Sequence, residues 1–376
     1  MPKFDRYLLG QLLILFGFFA LVLVSVYWVN RGVSLFDKLI GEGQSAMVFL
    51  EFAALTLPNV IRLILPIAAF AGTVYVINRM TNESELVVMQ ALGCSPWRLA
   101  RPVLLFGLLV AVPMAVLTHV LVPVSRSYLD QRQDEVANDF AARFLTEGQF
   151  LHPARGITFF IREISPNGEL RDIFLSDARS DPGRRVTYTA KRALLVEDGN
   201  RPKLVMFDGL AQSLDYEDKR LSTTTFADFT YDMSALTGRE RIGARDIDEL
   251  STRELLHPSP ALLEETGEPR AAFLYEAHAR SAEPLLAIAG ALIGYGALMI
   301  GGFNRFGVGR QIFLAILLLI AVNFFNNAAG DVVRRDAALW PLTYAPPAGG
   351  IVLGAALIWV SARGRRRRRM RREVPA

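Results

Sequence analysis

Six apolar runs divide this chain, each close to the roughly 20 residues that a helix needs to cross a hydrocarbon core. They lie near Leu8–Val29, Leu55–Ile77, Pro102–Val122, Pro284–Ile300, Ile312–Ala329 and Ala345–Ser361. Backbone inside a bilayer must satisfy its own hydrogen bonds, so runs of this kind are helices. The runs explain a positive mean hydropathy of +0.28 in a chain of 376 residues. The fold class expected is an α-helical membrane protein with six transmembrane helices, three on each side of a long polar insert. Apolar character begins earlier in the second run, near Met47, and the short fourth run extends upstream of Glu283. The first run follows Lys3 and Arg6 as a signal peptide would. It is too long for one, and Tyr27-Trp28-Val29 follows in place of a small-x-small cleavage site.

Basic residues in short loops set orientation. With both ends on the cytoplasmic side, that side collects Lys3, Arg6, Arg79, Arg98, Arg101, Arg305, Arg310 and eight arginines of the tail, Arg363, Arg365 to Arg369, Arg371 and Arg372. The opposite short loops hold only Arg31, Lys38, Arg334 and Arg335. This bias places both termini in the cytoplasm and the insert, residues 123–280, outside it. An arginine-rich tail directly after an apolar span reads as an anchor on anionic lipid, not as a nucleic-acid arm. The expected divisions are 1–122 for the first three spans, 123–280 for the insert, 281–361 for the last three and 362–376 for the basic tail. The single cysteine, Cys94, excludes an intrachain disulfide and reads as a reduced bystander.

The insert has strand texture. Tyr128–Arg143 reads as a polar helix leaving the membrane. Short alternating runs follow at Ile157–Ile164, Leu170–Ser176, Val186–Leu195, Leu204–Leu210 and Leu221–Tyr231. Ile157, Phe159 and Ile161 share one face of the first of these. Turn signals at Pro166-Asn167-Gly168, Asp181-Pro182-Gly183 and Asp198-Gly199-Asn200 separate them. An antiparallel β domain with one apolar face is expected, a sandwich or an open jelly roll. That face is either a closed core or a partly open interior for an acyl chain, with Phe159 and Ile161 as contacts. Ser251-Thr252-Arg253-Glu254 then reads as a capping box. Glu276, His278, Arg280 and Glu283 lead back into the membrane.

Between the second and third runs, from Ile77 to Pro102, sits a short charged and apolar segment. Thr81 or Asn82 can cap a helix there, with Glu85 three residues after Asn82 as the capping-box partner. Leu86, Val87, Met89 and Leu92 give it an apolar side, Gly93 ends it, and Ser95-Pro96 starts the next helix. A helix of about three turns, near residues 82–93, between two spans is a lever for a cytoplasmic partner. Glu85 would pair with a basic group there while Leu86 and Met89 fill an apolar groove. No G-x-x-x-x-G-K-[ST] loop occurs, and His119, His152, His257 and His278 lack metal-like spacing. No catalytic residue, cofactor site or metal site is expected; energy would come from ATP bound by a partner.

Two passages carry a resemblance. Leu65-Pro66 stands within LILPIAAFAGTVYVINR, and NESELVVMQALGCS follows it; Gln131-Arg132-Gln133-Asp134-Glu135 comes after the third span. With the arrangement of three spans, β insert and three spans, the chain resembles the LptF/LptG (YjgP/YjgQ) permeases of the lipopolysaccharide exporter of Gram-negative bacteria, more the LptF branch. The resemblance implies an inner-membrane permease in an LptF–LptG heterodimer, above a dimeric LptB ATPase that receives Glu85. It also implies an LptC helix beside it, an LptA bridge in the periplasm, and a periplasmic β jelly roll that passes lipopolysaccharide on. In the family the first and fifth spans flank the lipid gates. The basic tail departs from the enterobacterial pattern.

Moving a multi-acyl lipid out of a bilayer exposes apolar surface at roughly 0.8 kcal/mol per CH₂, which demands an apolar cavity and external energy. The cavity wall expected comprises Phe16, Phe18, Phe19, Phe324 and Phe325. Arg31 and Lys38, just past the first span, would meet the lipid's phosphates or anchor at the interface. Asn323 and Asn327, one turn apart in the fifth span, would pair across helices or serve a gate. Two other classes fit the same architecture: a permease of another ATP-driven lipid or lipoprotein extractor, and a non-transporting scaffold of an envelope complex. The lever segment argues against the scaffold.

Overall fold

A computed structural model describes residues 3–41, 46–143, 147–152, 156–181, 184–198, 201–216, 218–232, 245–300 and 308–372. It contains six helices long and apolar enough to cross a membrane. They are built on α1 (Lys3–Gly41), α2 (Ala46–Asn82), α4 (Pro96–Val116), α8 (Arg270–Ile300), α9 (Gly309–Val333) and α10 (Ala345–Arg372). The third continues through a π-helical turn, Leu117–Leu121, into α5 (Val122–Arg143). The second and fourth runs do start early, at Ala46 and Arg270. Short helices α3 (Glu85–Ala91), α6 (Thr252–Leu256) and α7 (Pro260–Thr266), and 3-10 turns at Ile247–Glu249 and Ala337–Tyr344, lie between them.

The chain forms two compact units, residues 1–129 with 245–376, and residues 130–244. The return arm 245–280 was expected to go with the insert; it packs instead with the helices. The reason lies in α8. Pro284 has no N–H to give to the carbonyl one turn back, that of Arg280. Thr118 in the π turn fills the gap: its hydroxyl donates to the Arg280 carbonyl at 2.8 Å. The Arg280 side chain, fully buried, donates to Glu276 Oε1 at 3.0 Å and to the carbonyls of Leu250 (2.6 Å) and Asp248 (3.1 Å). A buried guanidinium needs all of these partners, and two of them are backbone of the return arm. The expected capping box opens α6: Ser251 N–H donates to Glu254 and Glu254 N–H to Ser251 Oγ. The Ser251 hydroxyl also donates to the Glu254 carboxylate at 2.7 Å, and this bond, then the one from the Ser251 N–H, with Arg245 beside them, hold that carboxyl below the usual carboxylate range.

Helix α8 is buried on almost every side. It can be because its residues are small: Ala287, Ala291, Gly294, Gly296 and Ala297 let neighbouring backbones approach. A side chain on Gly354 of α10 would lie 2.7 Å from Leu292 Cβ, and one on Gly296 would lie 2.9 Å from the Gly354 carbonyl.

The second unit carries one antiparallel sheet in chain order: β1 (Phe150–Leu151), β2 (Ile157–Ile164), β3 (Leu170–Asp181), β4 (Arg184–Asp198), β5 (Arg201–Asp215) and β6 (Leu221–Asp232). The strands run longer than their apolar patterns because ladder pairing continues into polar residues, as from Arg184↔Asp215 to Asp198↔Arg201. The turn at Pro166-Asn167-Gly168 forms, with Gly168 at φ 78° and its N–H on the Ser165 carbonyl. Pro182-Gly183 and Gly199-Asn200 lie outside the described residues. Asp208 sits in the left-handed region at φ 53°, and Gly209 beside it leaves room for the Phe226 ring.

Gly354→Val is expected to cost about 1–3 kcal/mol by overpacking the α8–α10 contact. The check is a lowered unfolding midpoint in detergent, against an unchanged one for Gly349→Val, which has open space.

Candidate functional site

The lever segment folds as a short helix, by a different route from the one expected. Helix α2 runs on through Asn82, held by the buried Ile77 and Met80. Thr81 therefore turns its hydroxyl back to the Ile77 carbonyl (2.7 Å), and the Asn82 amide lies 3.4 Å from Asn78 Oδ1. Neither caps α3. The break is made by Ser84, which takes the left-handed conformation at φ 63° with no side-chain cap. Gly93, at φ 90°, ends α3, and Ser95 caps α4 through the Arg98 N–H at 3.2 Å. Pro96 takes the first position of α4, as expected.

The faces of α3 are also redistributed. Leu86 is 1% exposed and sits in the helical core, with Met89 packed against the same cluster. Leu86 cannot fill a partner's groove because its own bundle has taken it. The apolar groups that face outward are Val88 (55% exposed), Leu92 (75%) and Trp97. Glu85 is half-buried and accepts a hydrogen bond from the Tyr7 hydroxyl at 3.2 Å. Arg98 meets Asp5 at 3.0 Å, and the Tyr295 hydroxyl donates to the Pro96 carbonyl at 2.7 Å. The elbow from α3 to α4 is thus fastened to α1 and to α8. Asp5 and Tyr7 escaped sequence reasoning because their partners are more than 75 residues away.

At the other end of α1, Trp28, Val29, Gly32 and Val33 line an apolar cleft of 290 Å³ with Phe49 of α2. The Trp28 indole donates to the Ala53 carbonyl at 3.2 Å, which pins one end of it. Arg31 is exposed close by in sequence; the Lys38 side chain lies outside the described residues. The five phenylalanines divide. Phe18, Phe324 and Phe325 are well exposed. Phe16 is turned inward, edge-on to Phe106 with centroids 5.7 Å apart, and Phe19 packs beside the Val60–Ala68 cluster. A wall made of all five does not exist. Asn323 bonds the Leu319 carbonyl of its own helix at 3.0 Å, where pairing across helices was expected.

In the β unit, Phe159 and Ile161 are buried in the cluster with Ile157, Ile173, Leu175 and Met206. Around that cluster stand half-buried Tyr188, Phe226, Phe229 and Tyr231. Tyr188 stacks on Phe229 at 5.0 Å, and the Tyr231 hydroxyl donates to Asp177 at 2.6 Å. Burial pushes the Tyr188 phenol above its ordinary value. The β6 aromatics went unnoticed in the sequence because Thr and Asp separate them.

The six helices make this a multi-pass membrane protein, and its sequence carries no G-x-x-x-x-G-K-[ST] loop. The chain belongs to the LptF/LptG family of lipopolysaccharide export system permeases, whose sequence pattern matches residues 6–360. It is 24% identical over 255 residues to the lipopolysaccharide export system permease protein LptF of Escherichia coli K12, covering 65% of this chain and 66% of that one. It is 26% identical to LptG of Haemophilus influenzae over 33% of this chain and 34% of that one. An uncharacterized protein of Rickettsia prowazekii matches at 24% over 76% of this chain and 78% of its own length.

The two faces of α3 predict opposite outcomes. Leu86→Ala should cost about 2–5 kcal/mol of stability, as a core truncation does. Leu92→Ala should stay within about 0.5 kcal/mol. Thermal unfolding of the purified protein in detergent separates them.

Proposed function

We propose that this chain is the transmembrane subunit of an ATP-driven machine that lifts lipopolysaccharide from the inner membrane and hands it to its own β insert in the periplasm. The observation that carries this reading is the outward face of the α3–α4 elbow. Exposed Val88, Leu92 and Trp97 lie on the same elbow as the half-buried Glu85 carboxylate, a combination suited to a groove with a basic group in it. Family membership supports the cargo, since the family's description is that of a lipopolysaccharide export system permease. The longer match to LptF than to LptG supports a place on the LptF side of a heterodimer.

The partners that complete the machine are an LptG-like permease, an LptB-like ATPase dimer, an LptC-like helix and an LptA-like bridge. ATP is bound and hydrolysed by the ATPase; this chain holds no cofactor of its own. Exposed Phe313, Ile320, Phe324 and Phe325 give α9 a face for lipid or for the second permease. Arg31, and Lys38 further along α1, would take the cargo's phosphates near the Trp28–Val33 cleft. In the insert, acyl chains would follow the apolar cluster, with Phe159 and Ile161 as its floor and Tyr188, Phe226 and Phe229 as its rim.

The coupling test uses Glu85→Lys and Leu92→Asp. Each should weaken capture of the ATPase by about 2 kcal/mol or more, some thirtyfold in affinity, because it leaves a desolvated group unpaired. The readout is pull-down of the ATPase together with lipid release from proteoliposomes. Parental capture and release by both variants would remove the coupling role of α3.

Orientation has its own check. Charge bias puts Cys94, half-buried at the elbow, on the cytoplasmic face. A membrane-impermeant thiol reagent should label it only after lysis of spheroplasts; equal labelling of intact spheroplasts would invert the topology.

A further inference from the structure

Near the start of α1 stands a half-buried ion pair that neither ATPase docking nor lipid contact employs. Asp5 is 6% exposed and lies in the first turn of α1, where a carboxylate also suits the positive end of a helix. Arg98 Nη1 is 3.0 Å from each of its carboxylate oxygens. Arg98 is itself fixed at the start of α4, where its backbone N–H meets the Ser95 cap. Half a turn along α1, the Tyr7 hydroxyl reaches Glu85 on α3. Leu8 and Leu12, both fully buried, lock the same turns into the helical core. The first turns of α1 are therefore bound to both sides of the elbow.

Beyond Leu12 the helix changes character. Ile14, Phe18, Leu21 and Val26 are all more than half exposed. Its other side packs on α2, where Phe16, Phe19, Leu23 and Val24 meet Val60, Ile64 and Ala68, so α1 is held along one side only and can tilt over α2 as an arm about its tied end. Its far part, Trp28 to Val33, is one wall of the apolar cleft, and Phe49 of α2 is on the other. That wall lies ~35–42 Å along the helix from Asp5 at 1.5 Å per residue, so a tilt of about 5° at the tied end moves it by ~3 Å. A shift of that size opens or closes a cleft a few side chains wide.

We propose that the Asp5–Arg98 pair is the pivot that passes motion of the α3–α4 elbow to α1 and so to the cleft at Trp28–Val33. Asp5, Arg98 and Tyr7 are positioning residues: they touch neither nucleotide nor cargo, and act through α1. The inference rests on the reading of α3 as the ATPase contact and adds the path by which that contact reaches the lipid side.

The test is the ratio of ATP hydrolysed to lipid released in proteoliposomes holding the assembled complex. Asp5→Asn, Arg98→Gln and Tyr7→Phe should still capture the ATPase. The two ion-pair variants should raise the ratio about fivefold or more, the low end of ordinary coupling factors, and Tyr7→Phe should raise it in the same direction. Exchanging the charges, Asp5→Arg with Arg98→Asp, should bring the ratio back toward the parent. A purely structural pair would lower hydrolysis and release together and leave the ratio unmoved. Parental ratios in the three single variants overturn the pivot; so does an assembled charge exchange as uncoupled as the singles. If the exchange does not assemble, Asp5→Asn and Tyr7→Phe decide by themselves, since neither introduces a new charge. Glu85→Lys separates the two readings. If it abolishes capture while the Asp5 and Tyr7 variants keep the parental ratio, the pivot alone fails. If it leaves capture intact, the ATPase reading of α3 fails, whatever Asp5 does.

Discussion

A carbonyl without a donor and a guanidinium without acceptors are costly inside a low-dielectric bundle, and both problems meet at Arg280. Pro284 strips the backbone carbonyl of its usual N–H, and Thr118 supplies a hydroxyl in its place. The side chain of the same residue gathers Glu276 and the carbonyls of Leu250 and Asp248. Satisfying one residue thus joins three stretches that are far apart in sequence: the π turn before α5, the return arm near Leu250 and the central helix α8. The irregular backbone at Leu117–Leu121 has a use, because it is the turn that presents Thr118. The return arm belongs to the helical unit for this reason.

Much of this was legible in the sequence. Six apolar runs gave six helices because lipid leaves a backbone no other solution. The alternating face of Ile157, Phe159 and Ile161 became the floor of the β cluster because a sheet has a period of two. Ser251 and Glu254, Ser95 and Pro96, and Gly93 all took the roles their chemistry favours, since caps and turns depend on neighbours a few residues away. The failures share one cause. Asn82 and Glu85 have capping-box spacing, yet α2 runs through Asn82 because Ile77 and Met80 are buried beneath it. Leu86 reads as an outward contact in the isolated segment and is an inward one in the bundle. Phe16 and Asn323 were likewise given partners that the packed helices replaced with Phe106 and the Leu319 carbonyl. Local signals name an element; which side of it faces in is decided by helices elsewhere in the chain.

The elbow shows how tertiary structure can sharpen a functional segment. In sequence, α3 offers one carboxylate and a set of apolar residues without rank. Packing sorts them, drawing Leu86 inward and leaving Val88, Leu92 and Trp97 outside. It also gives Glu85 a partner in Tyr7. A helix of two turns has little stability alone, so its orientation depends on the bonds that α1 and α8 make to the elbow.

Those bonds bear on transport because the spans are fastened unequally. Helix α8 is enclosed, and its glycines meet α10 and α2 at backbone distance; any displacement there would have to drag several helices at once. Helix α1 is enclosed over its first turns and beyond them packs on α2 along one side, with Ile14, Phe18, Leu21 and Val26 exposed on the other. Of the two helices bonded to the elbow, α1 is therefore the cheaper one to move. Motion follows the softer element when two share a fixed contact, and in this bundle that element carries one wall of the Trp28–Val33 cleft. A rigid α8 is as necessary to such a scheme as a mobile α1. The Tyr295–Pro96 bond gives the elbow something to turn against, and the Asp5–Arg98 pair gives it something to turn.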